Sequence, residues 1–540
     1  MRYDLALPAL SRRGFVATSA ALFAAPALAN LDRTATQRPQ VRLASGVVAG
    51  TLEGGAFSFK GVPYGEPTGG RRRFLPPTLK KPWSGVLDAS RFGPRCPQRG
   101  TSAPTHSEDC LVANVWTSSL AGHRPVMVWL HGGGWEAGGA DDPVANGAWL
   151  ASEQGVVVVS IHHRLNVFGY LHLGAIGGEP YAQSASAGTL DIALALHWVR
   201  ENIDRFGGDP DNVTIFGQSG GGRKVSALMA MPAAAGLFHR SISQSGPGLT
   251  LDTPEIGADR AVRLLRKLDI APENFRQLAD VPTDILLAAG IEVRNETGQF
   301  RPLVDGTTVP QHPFLPTAPL ISAHVPMMIG VTRDETAAFL GNEHEYADLP
   351  DSDLQREAER FFPAGQAPAA IDRWRDIYPE SSNGKLLAQL TTDRSYFLDA
   401  NLLAESKAAL GRAPAYAYIF DRATTVGALR DVSPHGMDLP YVFGNLTASR
   451  YLDAVTPEDE ALCAAVSGAW AAFARSGSPD HSGMDRWLPY EVGLRSTMMF
   501  GETIRLASDP YGTRRAFMDQ FGSEQLQAYE PRPPGPWIRQ

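Results

Sequence analysis

The chain has 540 residues, with 49 Lys and Arg against 57 Asp and Glu, and its formal net charge of -8 argues against nucleic acid or an anionic membrane surface as the main partner. Apolar residues make up 43% and charged residues 20%, the composition of a globular chain that can bury a large core. No stretch has the roughly 20 successive apolar residues that a membrane span requires.

Read in chain order, residues 1–29 form a targeting segment rather than part of the fold. Ser11-Arg12-Arg13-Gly14-Phe15-Val16 resembles the twin-arginine export signal. A short apolar run follows, and Ala27-Leu28-Ala29 offers small residues for cleavage before Asn30. The expected location is the bacterial periplasm or exterior, where disulfides persist. Three cysteines are present, Cys96, Cys110 and Cys463. A bond between the first two would close a loop of about 15 residues, worth ~3 kcal/mol in loop-closure entropy. Cys463 sits in an apolar helical run and reads as a buried free thiol.

Beyond residue 30 the chain reads as one domain, 30–540. Short β-like runs occur at 41–48 and 57–62, followed by a Pro- and Gly-rich loop over 63–82. Continuous apolar runs too short for helices then recur at 126–130, 156–161, 213–216, 327–331 and 416–420, the pattern of parallel strands buried on both faces. Helix-length segments at 143–154, 188–202 and 219–231 lie between them. Strand–helix alternation predicts a doubly wound α/β sheet, mostly parallel and flanked by helices. Stretches around 250–320 and 340–410 are largely helical and charged, and are expected to cap one end of the sheet.

Gly217-Gln218-Ser219-Gly220-Gly221 fits G-x-S-x-G and stands between a strand and a helix, the context that aims a serine oxygen above a sheet. His131-Gly132-Gly133-Gly134-Trp135 follows the run 126–130. Its glycines free backbone N–H groups to receive a developing oxyanion, and Gly133, Gly134 and Gly220 are the expected donors. A dinucleotide turn is excluded there, because Ala137 stands where the third glycine of G-x-G-x-x-G belongs. Among 13 histidines, His435 follows the run 416–420 in a loop. Asp334 and Glu335 end the run 327–331, and both suit the order nucleophile, acid, histidine. These patterns alone leave the two acids tied.

With these motifs the chain resembles the type-B carboxylesterase and cholinesterase family of α/β-hydrolases. The likeness extends to Phe59-Lys60-Gly61-Val62-Pro63-Tyr64, Ser107-Glu108-Asp109-Cys110-Leu111 and Phe206-Gly207-Gly208-Asp209-Pro210. It also covers Asp334-Glu335 with Phe339, and His435-Gly436 with Tyr441-Val442-Phe443. The resemblance implies a serine esterase with nucleophile Ser219, general base His435 and orienting acid Glu335. It further implies a Cys96–Cys110 disulfide and a buried Glu108–Arg164 ion pair. The sequence departs from the family at Gln218 and Gly220, where Glu and Ala are usual, and at His163 and Thr336.

Trp135, Gln218 and Phe339 are candidate pocket residues for a small-molecule ester. Amides, carbamates or lactones would use the same machinery, and a non-catalytic binding protein on this fold is the other class. Intact Ser219, Glu335, His435 and the glycine loop weigh against the latter. No cofactor motif and no metal-ligand spacing occurs; Glu343-His344-Glu345 and His162-His163 read as a solvated loop and a strand end.

Overall fold

The computed structural model describes residues 38–100, 106–340, 349–426 and 431–526. The expected signal segment and Glu343-His344-Glu345 lie outside them. The described residues from Pro39 onward form one compact unit.

Eleven strands form the main sheet. In chain order they are β1 (Thr51–Glu53), β2 (Ala56–Pro63), β3 (Val112–Thr117), β4 (Arg124–Leu130), β5 (Val157–Ile161), β6 (Gly208–Gln218), β7 (Arg240–Gln244), β8 (Met327–Thr332), β9 (Ala415–Phe420), β10 (Ser496–Phe500) and β11 (Ile504–Ser508). Their spatial order is β11-β10-β9-β8-β7-β6-β4-β5-β3-β2-β1. The stretch from β10 to β5 is parallel throughout, while β11 and the β3-β2-β1 edge run antiparallel. Residues 41–48, expected as one strand, instead form two strands of a separate small sheet, Gln40–Arg42 and Val47–Ala49, with Val86–Asp88.

Burial on both faces explains the continuous apolar runs. Along β4, Val126, Val128 and Leu130 join one apolar cluster, and Met127 and Trp129 join the other. Successive residues of a strand point to opposite faces, so a strand covered on both sides has no polar alternation to display. Helices α1 (Ala148–Gln154), α2 (Ala187–Asn202) and α3 (Gly220–Met229) supply this cover. Ile192 and Val199 of α2 and Leu228 of α3 enter the first cluster, and Leu150 of α1 the second. Helices α4 (Pro254–Lys267) and α5 (Thr283–Thr297) occupy the first insertion. In the second, α6 (Asp351–Ala358), α7 (Ala367–Ile377) and α8 (Asn383–Thr392) build a third apolar cluster around Leu354, Trp374 and Leu387, before α9 (Leu398–Ala409) returns the chain to β9. Helix α10 (Pro457–Ser476) packs on the second face and opens with a capping box, Thr456 and Asp459 exchanging bonds with each other's backbone N–H. Among the described residues no helix is long and apolar enough to cross a membrane.

Two expectations need correction. The Cys96–Cys110 bridge is not formed: both residues, like Cys463, are buried free thiols. The two sulfurs meet as hydrogen-bonding partners, which together with burial pushes the Cys110 thiol up. Cys96 Sγ also accepts the Leu165 N–H at 3.3 Å. The Glu108–Arg164 pair is likewise absent, because each residue has another partner. Arg73 grips Glu108 with two bonds of 2.8 and 2.7 Å, and Arg164 grips Asp191 with bonds of 2.8 and 2.6 Å. Asp191, on α2, also accepts the Arg164 N–H at 2.9 Å, so the nearer carboxylate satisfies the guanidinium and its backbone together.

All three thiols should therefore resist Ellman's reagent in the folded protein and all three should react after unfolding. A count of a single thiol in denaturant would restore the bridge.

Candidate active site

Strand β6 ends at Gln218, and the chain turns into α3 through Ser219, whose φ of 58° and ψ of -122° place it in backbone space that a non-glycine residue occupies at a cost of about 1–3 kcal/mol. The turn is held from both sides. Ser219 N–H donates to Gln244 O at 2.8 Å, and Ser219 O accepts the Arg223 N–H at 3.2 Å. Strand pairing opposes Leu130 of β4 to Gly217 of β6, so the loop leaving β4 emerges beside the serine turn.

That loop is the glycine triplet. Gly133 and Gly134 have φ of 88° and 63°, conformations that glycine adopts at little cost. Gly220 packs onto it: a Cβ at 220 would lie 2.2 Å from Gly134 O and 2.5 Å from Gly134 N. This contact accounts for the departure from alanine at this position. The backbone of Gly134 is thereby fixed against that of the residue following Ser219. Trp135 is buried, edge-on to Tyr170 at 5.3 Å between ring centroids. Beyond it Glu136 Oε1 accepts the Phe300 N–H at 2.9 Å, and burial raises its carboxyl to about 7.

On the next strands of the sheet the two acids separate. Asp334 Oδ2 accepts from Arg333 Nε at 2.7 Å and from the Ser433 N–H at 2.9 Å, so it ties the loop beyond β9 to β8. Glu335 is fully buried; Oε1 accepts the Thr332 N–H at 2.7 Å and Oε2 accepts from His435 Nδ1 at 2.5 Å. Of the two acids, Glu335 is the one that bonds to the imidazole, as the resemblance implied, while Asp334 faces Arg333 and Ser433. With Nδ1 committed as donor, His435 Nε2 is the free basic nitrogen, and it is buried without a hydrogen-bond partner. Thr336 anchors the acid's turn to α8, its hydroxyl donating to Ala388 O at 2.8 Å and meeting Thr391 Oγ1 at 2.6 Å.

The imidazole is enclosed by Phe339 and Tyr396, with ring centroids at 5.0 and 5.4 Å, and the Tyr451 hydroxyl donates to His435 O at 3.0 Å. Gln218 is buried, and its amide lies between the two loops. A Cβ on Gly436 would be 3.7 Å from Gln218 Nε2, and one on Gly132 would be 3.3 Å from its Oε1. Asp438 accepts from Gln244 Nε2 at 2.8 Å and Tyr418 OH at 3.0 Å. Burial, reinforced by the Glu335 charge, raises its carboxyl to about 6. Tyr396, Tyr451 and Asp438 escaped sequence reasoning. Asp438 alone left a signal, an acid three residues beyond the histidine at the start of an apolar run. Among the described residues no group of His, Cys, Asp and Glu could hold a metal ion.

Comparison with known proteins adds to this geometry. The carboxylesterase family model matches residues 37–517. The chain is 36% identical over 490 residues to the para-nitrobenzyl esterase of Bacillus subtilis (strain 168), covering 87% of this chain and 96% of that one. It is 31% identical over 550 residues to the liver carboxylesterase of Sus scrofa, covering 92% and 95%. The crystal structure of a Geobacillus stearothermophilus carboxylesterase at pH 6.2 superposes with a TM-score of 0.78 at 35% identity, over 89% of this chain and 99% of that one.

Because a Cβ at 220 collides with backbone and not with a movable side chain, Gly220→Ala is expected to destabilise the fold by ~1–3 kcal/mol in urea denaturation. Stability equal to that of the parent protein would show that the two turns are not in contact.

Proposed function

The chain belongs to the carboxylesterase family and hydrolyses esters, and from that premise we propose that it works through an acyl-serine intermediate on Ser219. Ser219 Oγ attacks the ester carbonyl while His435 Nε2 accepts its proton. Glu335 holds the imidazole in the required tautomer and stabilises the imidazolium that forms. The carbonyl oxygen, now an oxyanion, is received by the N–H groups of Gly133, Gly134 and Gly220. Collapse of the tetrahedral adduct expels the alcohol, which takes the proton from His435. Water then repeats the sequence on the acyl-serine and releases the acid.

The observation that carries this reading is the buried Glu335–His435 bond with Nε2 left unpartnered, in the same fold as a serine held at φ 58°. A neutral amide at Gln218 is consistent with it, since Glu335 and Asp438 already place two carboxyl groups around His435. Phe339 and Tyr396 beside the imidazole suit a moderately apolar ester. The nitrobenzyl esters named for the Bacillus relative are the first substrates to try. Amide, carbamate and lactone turnover shares the chemistry and is separated only by assay.

We further propose that the chain is exported, on the strength of Arg12-Arg13, the apolar run and Ala27-Leu28-Ala29. Sequencing the protein recovered from the periplasm should find Asn30 as its first residue; cytoplasmic accumulation of the unprocessed chain would reject export.

A fluorophosphonate should label Ser219 stoichiometrically, and Ser219→Ala should lower kcat by a factor on the order of 10⁴–10⁶ with the fold intact. Labelling at another serine would displace the nucleophile. Glu335→Gln should cost roughly 10²–10⁴ in kcat, whereas Asp334→Asn, facing Arg333 and Ser433, should cost less than about tenfold per folded molecule. The reverse ranking would move the acid role to Asp334.

A further inference from the structure

Helix α3 carries an ionisable group that the serine mechanism leaves unused. Lys224 lies four residues after Gly220 and is fully buried. Its Nζ donates to His131 O at 2.9 Å and stands 5.9 Å from the Trp135 ring centroid. These two residues bracket Gly132-Gly133-Gly134. Among the described residues no carboxylate lies within salt-bridge distance of Lys224. An unpaired buried ammonium is expensive, and a methionine of similar size would fill the space without that penalty. Arg164, Arg260 and Arg514, also buried, each face an aspartate, whereas Lys407 resembles Lys224 in donating to backbone carbonyls, Ser322 O at 3.3 Å and Ala323 O at 2.8 Å.

The loop is held on its other side as well. His131 Nδ1–H donates to Gly132 O at 2.9 Å, and its ring stacks on that of His163 at 4.8 Å and 11°. His163 Nδ1–H in turn donates to Arg164 O at 2.9 Å. Lys224 therefore completes a support whose remaining members are uncharged.

We propose that Lys224 is a positioning residue for the oxyanion donors: its ammonium grips the loop at both ends of the glycine triplet, fixes the Gly133 and Gly134 N–H groups relative to Gly220, and adds positive potential where the oxyanion forms. This rests on the acyl-serine reading above. The ionisable groups that interact with it are His131 on the loop and His163 beyond β5, and His162 and Arg164 act on His163 in turn. Burial lowers both His131 and His163, so they remain neutral at neutral pH, and Arg164 is committed to Asp191. Burial also lowers Lys224 itself, to about 7. The cation is present below that pH and is lost as pH rises through it; a neutral amine still donates to His131 O but carries no charge.

The test is Lys224→Met, assayed for ester hydrolysis across the neutral range and for inhibition by a trifluoromethyl ketone, which forms an oxyanion adduct on the serine. The expected result is a kcat lower by roughly tenfold to a hundredfold with KM within about twofold, and ketone affinity reduced by the same factor. Wild-type kcat should decline as pH rises through about 7, and that decline should be missing from the variant. A folded variant with unchanged kcat and pH profile would overturn the proposal. Should the variant fail to fold, the wild-type profile decides alone, and an undiminished kcat above neutrality would overturn it equally. A wild-type protein that neither hydrolyses esters nor labels at Ser219 would overturn the acyl-serine reading and the Lys224 role with it, whereas an active wild type beside an unaffected variant overturns the Lys224 role only.

Discussion

The contact between two turns at the ends of adjacent parallel strands is the constraint on which the site depends. Pairing of Leu130 with Gly217 sets the register of β4 and β6. From that register the glycine loop and the serine turn leave the sheet side by side, close enough that no side chain fits between Gly220 and Gly134. A slip of one residue would turn every side chain of the strand to the opposite face. Because both faces of β4 and β6 are buried, such a slip would exchange the contents of two packed cores, so the core enforces the geometry of the turns.

The histidine half of the site obeys the same logic over a longer path. Glu335 is placed by the end of β8 and His435 by the loop beyond β9, one hundred residues later. The connection passes through the second helical insertion, yet the two ends stay in register because β8 and β9 pair from Met327–Ala415 to Thr332–Phe420. Three anchors then fix the loops: Asp334 to Ser433, Thr336 to α8, and Tyr451 to the carbonyl of His435. The insertion with its own apolar cluster is therefore also the scaffold that steadies the acid.

Among the described residues the buried arginines and the buried lysines are treated differently. Arg73, Arg164, Arg260 and Arg514 are buried with carboxylate partners, each held by more than one hydrogen bond. Such pairs carry a desolvation cost that good geometry offsets, and they are sensitive to the loss of either member. Lys224 and Lys407 instead donate to backbone carbonyls, and Lys224 does so at the glycine triplet, where the proposal above gives its charge a use. In an apolar surrounding, potential acts with little screening.

Local chemistry was legible in the sequence wherever it resides in contiguous residues. The turn Gly217–Gly221, the glycine triplet, the apolar runs that became β4, β5, β6, β8 and β9, and the placement of His435 in a loop after β9 all follow from spacing and backbone sterics. Short polar or methionine-rich strands such as Arg240–Gln244 and Ser496–Phe500 gave no periodic signal, because their strand character comes from the neighbours they pair with. The contacts that Asp334 and Glu335 make, the partners of Glu108 and Arg164, and the state of Cys96 and Cys110 belonged to the tertiary structure. Each is settled by which side chain is nearest in space, and adjacent residues leave a strand in different directions. Lys224 illustrates the division: the sequence placed a lysine on a helix among small and apolar residues, but only the packing of that helix beneath β4 put its ammonium against the carbonyl of His131.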